Sequence, residues 1–264
     1  MKVSIITITF NSAATVRGAI ESVLNQTYSD IEYIVKDGGS NDNTLEIVNE
    51  YKIKFGNRLK VVSEADGGIY DAMNKGIKMA TGKVVGILNS DDFLYDNHVI
   101  SDVVHTFHEY CVDCVYGDLV FVKNDNISDI VRSWHGSQYF DGSFLKGWVP
   151  AHPTFYVKKD CYDLYGLYDT SMKVSADFDL MMRFLAKHNI SNKYMRRHIV
   201  KMRYGGESTR SLKNIYIGNK NIKKAFKKNS ICMPRFYYIK RLFPKFWNII
   251  IKNTRQTSMP LEGG

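Results

Sequence analysis

The sequence lacks the features that mark secreted and membrane-spanning proteins. None of its apolar stretches approaches the uninterrupted run of about 20 residues that a membrane span needs. The opening "MKVSIITITF" has no small-residue cleavage site, and Thr7 and Thr9 dilute its apolar run. We therefore predict a first β-strand here rather than a signal peptide, and we expect a cytoplasmic protein.

Cysteine is scarce and arranged in a way that does not suit a closed zinc site. Cys111 and Cys114 form one C-x-x-C pair, while Cys161 and Cys232 stand alone. A structural zinc site would need two further ligands at suitable spacing, and none is evident. All four cysteines are predicted to be reduced thiols.

Two common phosphate-binding loops are also missing. No G-x-x-x-x-G-K-[ST] loop occurs, and no G-x-G-x-x-G follows the first predicted strand, so the usual dinucleotide fingerprint is absent. "DGGSNDNT" does follow a strand, but its leading Asp37 would repel phosphate. An aspartate there better suits hydrogen bonds to a base or ribose, while the later residues equally fit a tight turn and a helix cap.

What is present is an ordinary globular composition with an uneven charge distribution. Hydrophobic residues make up 44% and charged residues 24% of the 264 positions. Residues 193–255 hold 18 lysines and arginines against one acid, a net charge of +17, whereas residues 1–192 carry −7. The two parts are expected to meet different partners.

The first 96 residues alternate between strand-like and helix-like patterns. One helix is predicted after a Ser12 cap, one over 43–51, and one with Ile69, Met73 and Ile77 on a single face. This alternation predicts an α/β fold in which parallel strands are joined by right-handed crossovers. The predicted strands are residues 3–10, 31–37, 59–64 and 84–88.

Acids follow three of these four strands. Asp37 ends the second strand, Asp66 follows the third, and Asp91 and Asp92 follow the fourth. Ligands of parallel α/β sheets bind at the carboxyl ends of the strands. Neighbouring carboxylates suit Mg²⁺ or Mn²⁺, which prefers oxygen ligands and is commonly shared with substrate phosphates. Two adjacent acids alone fit a polar turn, but several converging acids favour a site for a metal and an anionic cofactor.

Five motifs in this order resemble the inverting family 2 glycosyltransferases of the GT-A fold, especially bacterial enzymes that build O-antigen, capsule or exopolysaccharide repeats. The resemblance implies a mostly parallel, Rossmann-like sheet flanked by helices. It also implies a GT-A domain at 1–208, with a nucleotide-sugar half at 1–96 and an acceptor half at 97–208. A basic amphipathic helical region at 209–255 and a flexible tail at 256–264 would follow. The motifs are "VSIITITFN", "DGGSNDNT", "ADGGIYDAMNKGI", "ATGKVVGILNSDD" and "SADFDLMMRF".

The resemblance implies donor-binding roles for residues of the first half. Thr9, Phe10 and Asn11 would line the nucleotide pocket, and Asp37 would accept a hydrogen bond from the base, expected to be uracil. A further motif flanks the nucleotide and sugar phosphates and is matched by Asp66, Asn74 and Lys75.

The resemblance also divides the acids after the fourth strand. Asp91 would contact the ribose, and Asp92 would coordinate the Mn²⁺ or Mg²⁺ bound to the diphosphate. Asn89 stands where many relatives carry a first aspartate, and for this reason the metal is assigned to Asp92.

Asp177 falls where the family carries its general base. Inversion needs a carboxylate that removes the proton of the acceptor hydroxyl as it attacks opposite the leaving diphosphate. Asp177 opens a predicted helix, whose dipole favours the ionised carboxylate. Ala176 replaces the usual glutamate neighbour, so Asp179 competes for the role, and a helix-capping role for Asp177 stays open. Only one of the two aspartates should face the cleft.

Two features of the second half are ambiguous from sequence. His152 in "AHPTFYV" could bind sugar hydroxyls or make a structural hydrogen bond. "YGGES", residues 204–208, resembles a family loop near the active site but also fits a simple turn.

The C-terminal region interleaves cations with aromatic residues, as in "FYYIKRLFPKFWNIIIK". Such a composition is typical of interfacial membrane helices, and each lysine or arginine near an anionic leaflet contributes about 1 kcal/mol. An amphipathic helix packed on the domain is the alternative, and nucleic-acid binding is disfavoured because no such motif accompanies the charges. We expect peripheral attachment to the inner face of the cell membrane, beside a polyprenyl-diphosphate-linked glycan acceptor.

The sequence thus predicts a metal-dependent, inverting hexosyltransferase that uses a UDP-sugar. Two other functions fit it less well. A sugar nucleotidyltransferase would normally carry a basic, glycine-rich loop after the first strand, which "TFNSAAT" lacks. A non-catalytic nucleotide-sugar or glycan-binding module would have a degraded site, whereas Asp91, Asp92 and Asp177 are all present.

Overall fold

The computed structural model describes residues 1–124, 126–204, 212–238 and 241, and it forms a mixed α/β fold. The strands are β1 Val3–Thr9, β2 Ile31–Asp37, β3 Leu59–Ser63, β4 Val84–Ile87, β5 Phe93–Leu94, β6 Cys114–Val122, β7 Ile130–Trp134, β8 Tyr156–Lys158 and β9 Asn192–Arg203. The α-helices are α1 Val16–Leu24, α2 Thr44–Glu50, α3 Lys52–Phe55, α4 Ile69–Met79, α5 Val99–Tyr110, α6 Lys159–Tyr165, α7 Ala176–Met182 and α8 Leu212–Lys228.

The first four strands form the parallel part of the sheet, as the alternating pattern predicted. Their spatial order is β3-β2-β1-β4, and all three neighbouring pairs are parallel. Every residue of β1 and β2 is buried, because helices cover both faces of this part of the sheet. Their carboxyl ends therefore meet at one edge, where Thr9 lies opposite Asp37.

The second half extends the same sheet in mixed directions. β8 pairs antiparallel with both β4 and β6, and β9 lies between β6 and β5. β9 is twelve residues long and was not predicted from the sequence, because charged residues interrupt its apolar pattern. β7 pairs with β6 as a further strand off the main path.

Helix α4 lies close against the sheet and carries several predicted site residues. Met73 and Ile77 are buried as expected, but Ile69 is 46% exposed and does not belong to the buried face. A Cβ atom at Gly76 would lie 2.5 Å from Cγ2 of Ile6, so only glycine permits this approach of α4 to β1.

Helix α1 begins later than predicted. Its N-cap is Thr15 rather than Ser12. The backbone N–H of Ser12 donates to Oγ1 of Thr44, at the start of α2, over 2.7 Å. Ser12 therefore joins two connecting segments at the carboxyl edge of the sheet instead of capping a helix.

Helix α8 packs on the domain through Ile222, Ala225 and Phe226, which are buried. The Phe226 ring lies 6.0 Å from the Phe178 ring of α7. Residues 209–211, 239–240 and 242–255 of the predicted basic region and the predicted tail 256–264 lie outside the described residues, as do residues 205–208 of "YGGES". Among the helices that the structure describes, none is both long and apolar enough to cross a membrane.

Candidate active site

Asp37 organises the turn that follows β2. Its carboxylate is fully buried and accepts five hydrogen bonds, three from hydroxyl groups and two from the backbone N–H groups of Gly39 and Ser40. Burial raises the pKa of Asp37, but the hydrogen bonds outweigh burial and lower the pKa overall. The hydroxyl donors are Thr9, Ser40 and Ser63.

This network differs from the role that the resemblance implied for Asp37. Both carboxylate oxygens are occupied by the chain itself, and no part of the side chain is exposed to a base. Thr9 is likewise buried, with its hydroxyl directed at Asp37. In this structure the buried side chains of Thr9 and Asp37 hold together the segments at the carboxyl edge of the sheet and are not exposed at its surface.

Phe10 and Asp66 do meet at that edge. A Cβ atom at Gly38 would lie 2.9 Å from Oδ2 of Asp66 and 3.4 Å from Cδ2 of Phe10, so the glycine lies between them. The Phe10 side chain is 65% exposed. The exposed ring leaves a flat apolar face available to a ligand, while the Asp66 side chain is 13% exposed and accepts at Oδ1 from the backbone N–H of Gly68.

Lys36 lies beneath this edge and was not singled out from the sequence. Its side chain is fully buried, and Nζ donates to the carbonyl oxygens of Asp37 and Glu64 over 2.6 and 2.7 Å. The same Nζ lies 3.7 Å from Oδ2 of Asp66. The lysine therefore ties the ends of β2 and β3 together and places a positive charge beside Asp66.

Asn11 connects the loop after β1 to the turn after β2. Its backbone N–H donates to Oγ of Ser40, and its Oδ1 accepts from the backbone N–H of Asn41. Asn11 has φ of 49°, a left-handed conformation that asparagine tolerates better than most residues. A side-chain hydrogen bond of 2.9 Å between Ser90 and Ser12 joins the loop after β4 to the same region.

The two acids after β4 differ sharply in environment. Asp92 is fully buried; its Oδ2 accepts from Nδ2 of Asn89 over 2.8 Å, and its Oδ1 has no hydrogen-bond partner among the described residues. Burial, followed by the nearby Asp91 charge, raises the pKa of the Asp92 carboxyl to about 8. Asp91 is partly exposed and makes no hydrogen bond or ion pair to any described residue.

In this conformation the accessible carboxylate of the pair belongs to Asp91 and not to Asp92. Asp92 is the carboxyl that a metal at the surface of the site would not reach. Asp91 offers a partly exposed carboxylate that accepts no hydrogen bond from the part of the chain that the structure describes. Asn89, which replaces the first aspartate of many relatives, acts as a donor to Asp92 and contributes to its inward orientation.

The α4 residues also divide between structural and exposed positions. Asn74 is buried, and its side chain exchanges two hydrogen bonds with the backbone of Tyr168, each 2.9 Å long. Lys75 is partly exposed, with Nζ 3.3 Å from Glu64 and 3.5 Å from Asp71. Of the two, Lys75 is the one whose charged group is accessible to a phosphate.

Asp177 lies in the first turn of α7, near the side chains of two tyrosines and one histidine. The hydroxyl of Tyr70 donates to its Oδ1 over 3.2 Å. Tyr70 stacks on Tyr168, and the Tyr168 hydroxyl lies 2.6 Å from Nε2 of His152. Burial lowers the pKa of His152, and the nearby Asp177 opposes that effect. Asp177 is partly exposed, and the N-cap of α7 is Ser175.

Asp179 has a different environment. It is fully buried and accepts from Arg183 over 2.8 Å, from Asn229 over 2.9 Å and from Lys228 over 3.3 Å. Its carboxylate is committed to joining α7 to α8. Between the two aspartates of α7, Asp177 is therefore the one available to an acceptor hydroxyl.

A parallel sheet with acids at its carboxyl edge, continued by an antiparallel half that carries a further carboxylate, defines a GT-A type of nucleotide-sugar enzyme fold. The family model described as "Glycosyl transferase family 2" matches residues 4–162. The chain belongs to this family, and it is a glycosyltransferase.

Relatives and solved structures agree with this assignment. The chain is 32% identical over 202 residues to the PGL/p-HBAD biosynthesis glycosyltransferase of Mycobacterium tuberculosis, covering 76% of this chain and 75% of the relative. It is 27% identical over 225 residues to the chondroitin synthase of Pasteurella multocida, covering 83% of this chain but only 22% of that longer protein.

Two solved structures show the same fold. S. aureus TarS 1–349 in complex with UDP-GlcNAc has a TM-score of 0.68 at 20% identity, covering 87% of this chain and 65% of that one. The mannosyltransferase PcManGT from Pyrobaculum calidifontis, in complex with GDP-Man and Mn²⁺, has a TM-score of 0.63 at 18% identity. The latter match covers 90% of this chain and 68% of that one.

Sequence reasoning did not identify Tyr70 or Tyr168 as neighbours of Asp177. For Tyr70 a signal existed, because Tyr70, Met73, Asn74 and Ile77 share the spacing of one helix face. For Tyr168 there was none, since it lies in an irregular segment before α7 and reaches the site only through the fold.

Proposed function

We propose that this glycosyltransferase moves a hexose, with inversion, from a UDP-sugar to a glycan acceptor. The observation that carries the proposal is the partly exposed Asp177 carboxylate, held by Tyr70, in a chain whose other α7 aspartate is buried in ion pairs. The exposed Phe10 ring and the Asp66 carboxylate beside it suit a stacked base. The UDP-GlcNAc complex of TarS supports uracil as that base.

The donor site would hold Mn²⁺ or Mg²⁺ through Asp91. Its carboxylate is partly exposed and has no partner among the described residues, which fits a hard cation, whereas Asp92 has no exposed surface. A bound divalent cation would neutralise the diphosphate and aid its departure. Lys75 supplies a second positive charge near the same phosphates. The Mn²⁺ complex of PcManGT supports metal dependence.

Asp177 would act as the general base. Its carboxylate removes the proton of the acceptor hydroxyl as that oxygen attacks the anomeric carbon from the side opposite the diphosphate. Tyr70 donates to Oδ1, which leaves Oδ2 to receive the proton. Tyr70, which stacks on Tyr168, would hold the base in position, and the contact between Tyr168 and His152 supports this arrangement from within the fold.

The acceptor is proposed to be a glycan on a polyprenyl diphosphate, assembled for a bacterial surface polysaccharide. The outer face of α8 exposes lysines together with Ile215 and Tyr216, which are 45% and 71% exposed. This face would rest on the anionic cytoplasmic leaflet while the opposite face packs on the domain.

A thermal-shift screen of nucleotide sugars tests the donor site. We expect a UDP-sugar to raise the melting temperature when Mn²⁺ is present and to have little effect with EDTA, because a cation held by Asp91 would neutralise the charge of the diphosphate. GDP-sugars serve as the matched controls. Stabilisation by a GDP-sugar alone would overturn the uridine assignment, and equal stabilisation in EDTA would overturn metal dependence.

Co-sedimentation with vesicles tests the membrane surface. The triple charge reversal Lys220→Glu, Lys223→Glu, Lys227→Glu should weaken binding to phosphatidylserine-containing vesicles by about 100-fold or more, at about 1 kcal/mol per lysine. Ile222 and Phe226 keep α8 packed in this variant. The control Lys52→Glu, Lys78→Glu, Lys83→Glu changes the net charge equally, at exposed positions outside α8. Equal loss in both variants would contradict docking through α8.

A further inference from the structure

A second group of polar side chains lies outside the donor and base sites, where β6, the end of β7 and β9 meet. Asp118 lies on β6, His135 follows β7 directly, and His198 lies on β9. One ligand atom from each of the three lies within 4.8 Å of the other two. None of the three contributes to the donor or base site described above.

The Asp118 carboxylate has a fixed orientation. It is 4% exposed, and its Oδ1 accepts from the backbone N–H of Gly136 over 2.7 Å and from the Tyr194 hydroxyl over 2.6 Å. Its Oδ2 lies 3.0 Å from Nδ1 of His135. Carboxylates that bind metals are commonly held in place by hydrogen bonds from neighbouring groups. In Asp118 such hydrogen bonds hold Oδ1, while Oδ2 faces the His135 ring.

His198 supplies the independent sign of a ligand. Its Nε2 is buried and has no hydrogen-bond partner within the part of the chain that the structure describes. An unpaired buried polar atom of this kind costs about 1–3 kcal/mol. The ring is held between Tyr95 and His135, whose ring centres lie 5.2 and 5.5 Å away. Nε2 of His198 is thus a buried ring nitrogen that neither donates nor accepts a hydrogen bond among the described residues.

A cavity of about 380 Å³ borders the same cluster. Asp118 and His135 line it together with Gln138, Tyr194 and Arg196. Zinc sites with three protein ligands keep a fourth position for water or another small ligand, and this cavity provides the space for it.

We propose that Asp118, His135 and His198 bind a zinc-class divalent cation at a site separate from the donor metal. Two imidazoles and one carboxylate match the ligand preference of Zn²⁺ better than that of Mg²⁺. The ion would join the segment after β7 to β6 and β9, whereas β7 itself pairs only with β6 among the described strands. An ion pair between His135 and Asp118 accounts for their contact but leaves Nε2 of His198 without a partner.

Calorimetric titration of the full chain with ZnCl₂, in the absence of any nucleotide sugar, tests the site. The titration uses a Cys111→Ser, Cys232→Ser background, because those two thiols are exposed. We expect one zinc per chain. His135→Ala and His198→Gln should each weaken binding by at least about 100-fold, since each removes one of three ligands. Co²⁺ absorption in the visible range should disappear in parallel.

Two control variants distinguish zinc bound at this cluster from zinc bound elsewhere on the chain. His105→Ala removes an exposed histidine paired with Glu109, and Asp91→Asn removes the proposed donor-metal ligand; both should keep the zinc. Because His135 is exposed, His135→Ala should have the same melting temperature as the parent in EDTA. When zinc is added, only the melting temperature of the parent should rise. Absence of zinc binding to the parent, or unchanged affinity in His135→Ala, would overturn the proposal. Neither result would bear on the donor site.

Discussion

Replacing Asp177 with asparagine is expected to lower the rate of sugar transfer by about 10²–10⁴-fold while leaving donor binding intact. Asparagine is nearly isosteric and can still accept the Tyr70 hydrogen bond at Oδ1. It cannot accept the proton of the acceptor hydroxyl, so the loss should appear in kcat at saturating donor and acceptor. Transfer assays with the UDP-sugar found by thermal shift measure the rate, and calorimetry with UDP and Mn²⁺ measures donor binding.

Asp179→Asn is the matched control, two residues along the same helix. It removes a buried charge that accepts from Arg183 and Lys228, so it should lower the melting temperature. Asp177→Asn should leave the melting temperature close to that of the parent, because Asp177 is partly exposed and makes one weak hydrogen bond. Near-normal turnover by Asp177→Asn would contradict the assignment of Asp177 as the base. The assignment would also fail if Asp177→Asn and Asp179→Asn proved equally stable and lost the same fraction of the transfer rate.

The parallel half of the fold was predictable because each of its strands and helices has a clear hydrophobic pattern within its own segment. β1 to β4 are short runs of apolar and β-branched residues separated by helical periodicity, and a buried parallel sheet follows from that pattern. The second half was not predictable in the same way. β9 is interrupted by lysines and arginines, most of its residues are only partly buried, and its pairing partners β6 and β5 lie far from it in the sequence.

The site residues follow the same division. Their position at the carboxyl edge of the sheet could be inferred from sequence, but the direction of each side chain could not. Ser63, 26 residues away, donates to the buried Asp37, and Tyr70 donates to Asp177 across 107 residues. Long-range hydrogen bonds of this kind decide which carboxylate is exposed and which supports the fold, and a single sequence does not contain them.

The second large effect concerns the two acids after β4. Asp91→Asn is expected to weaken Mn²⁺-dependent binding of UDP by about 100-fold or more, because it removes the exposed charge proposed to hold the cation. Calorimetry with UDP, in Mn²⁺ and in EDTA, gives the measurement. The expected signature is a variant whose UDP affinity no longer depends on the metal.

Asp92→Asn distinguishes this assignment from its reverse. The Asp92 carboxyl is buried, and burial together with the neighbouring Asp91 charge raises its pKa, so the amide replaces a group that has no exposed surface for a cation. The variant should retain Mn²⁺-dependent UDP binding at pH 7, with the Asn89 contact as the interaction at risk. If Asp92→Asn loses metal-dependent binding and Asp91→Asn keeps it, the cation must reach Asp92. Such a result would require the loop after β4 to open when the donor binds, since Asp92 has no exposed surface in this conformation.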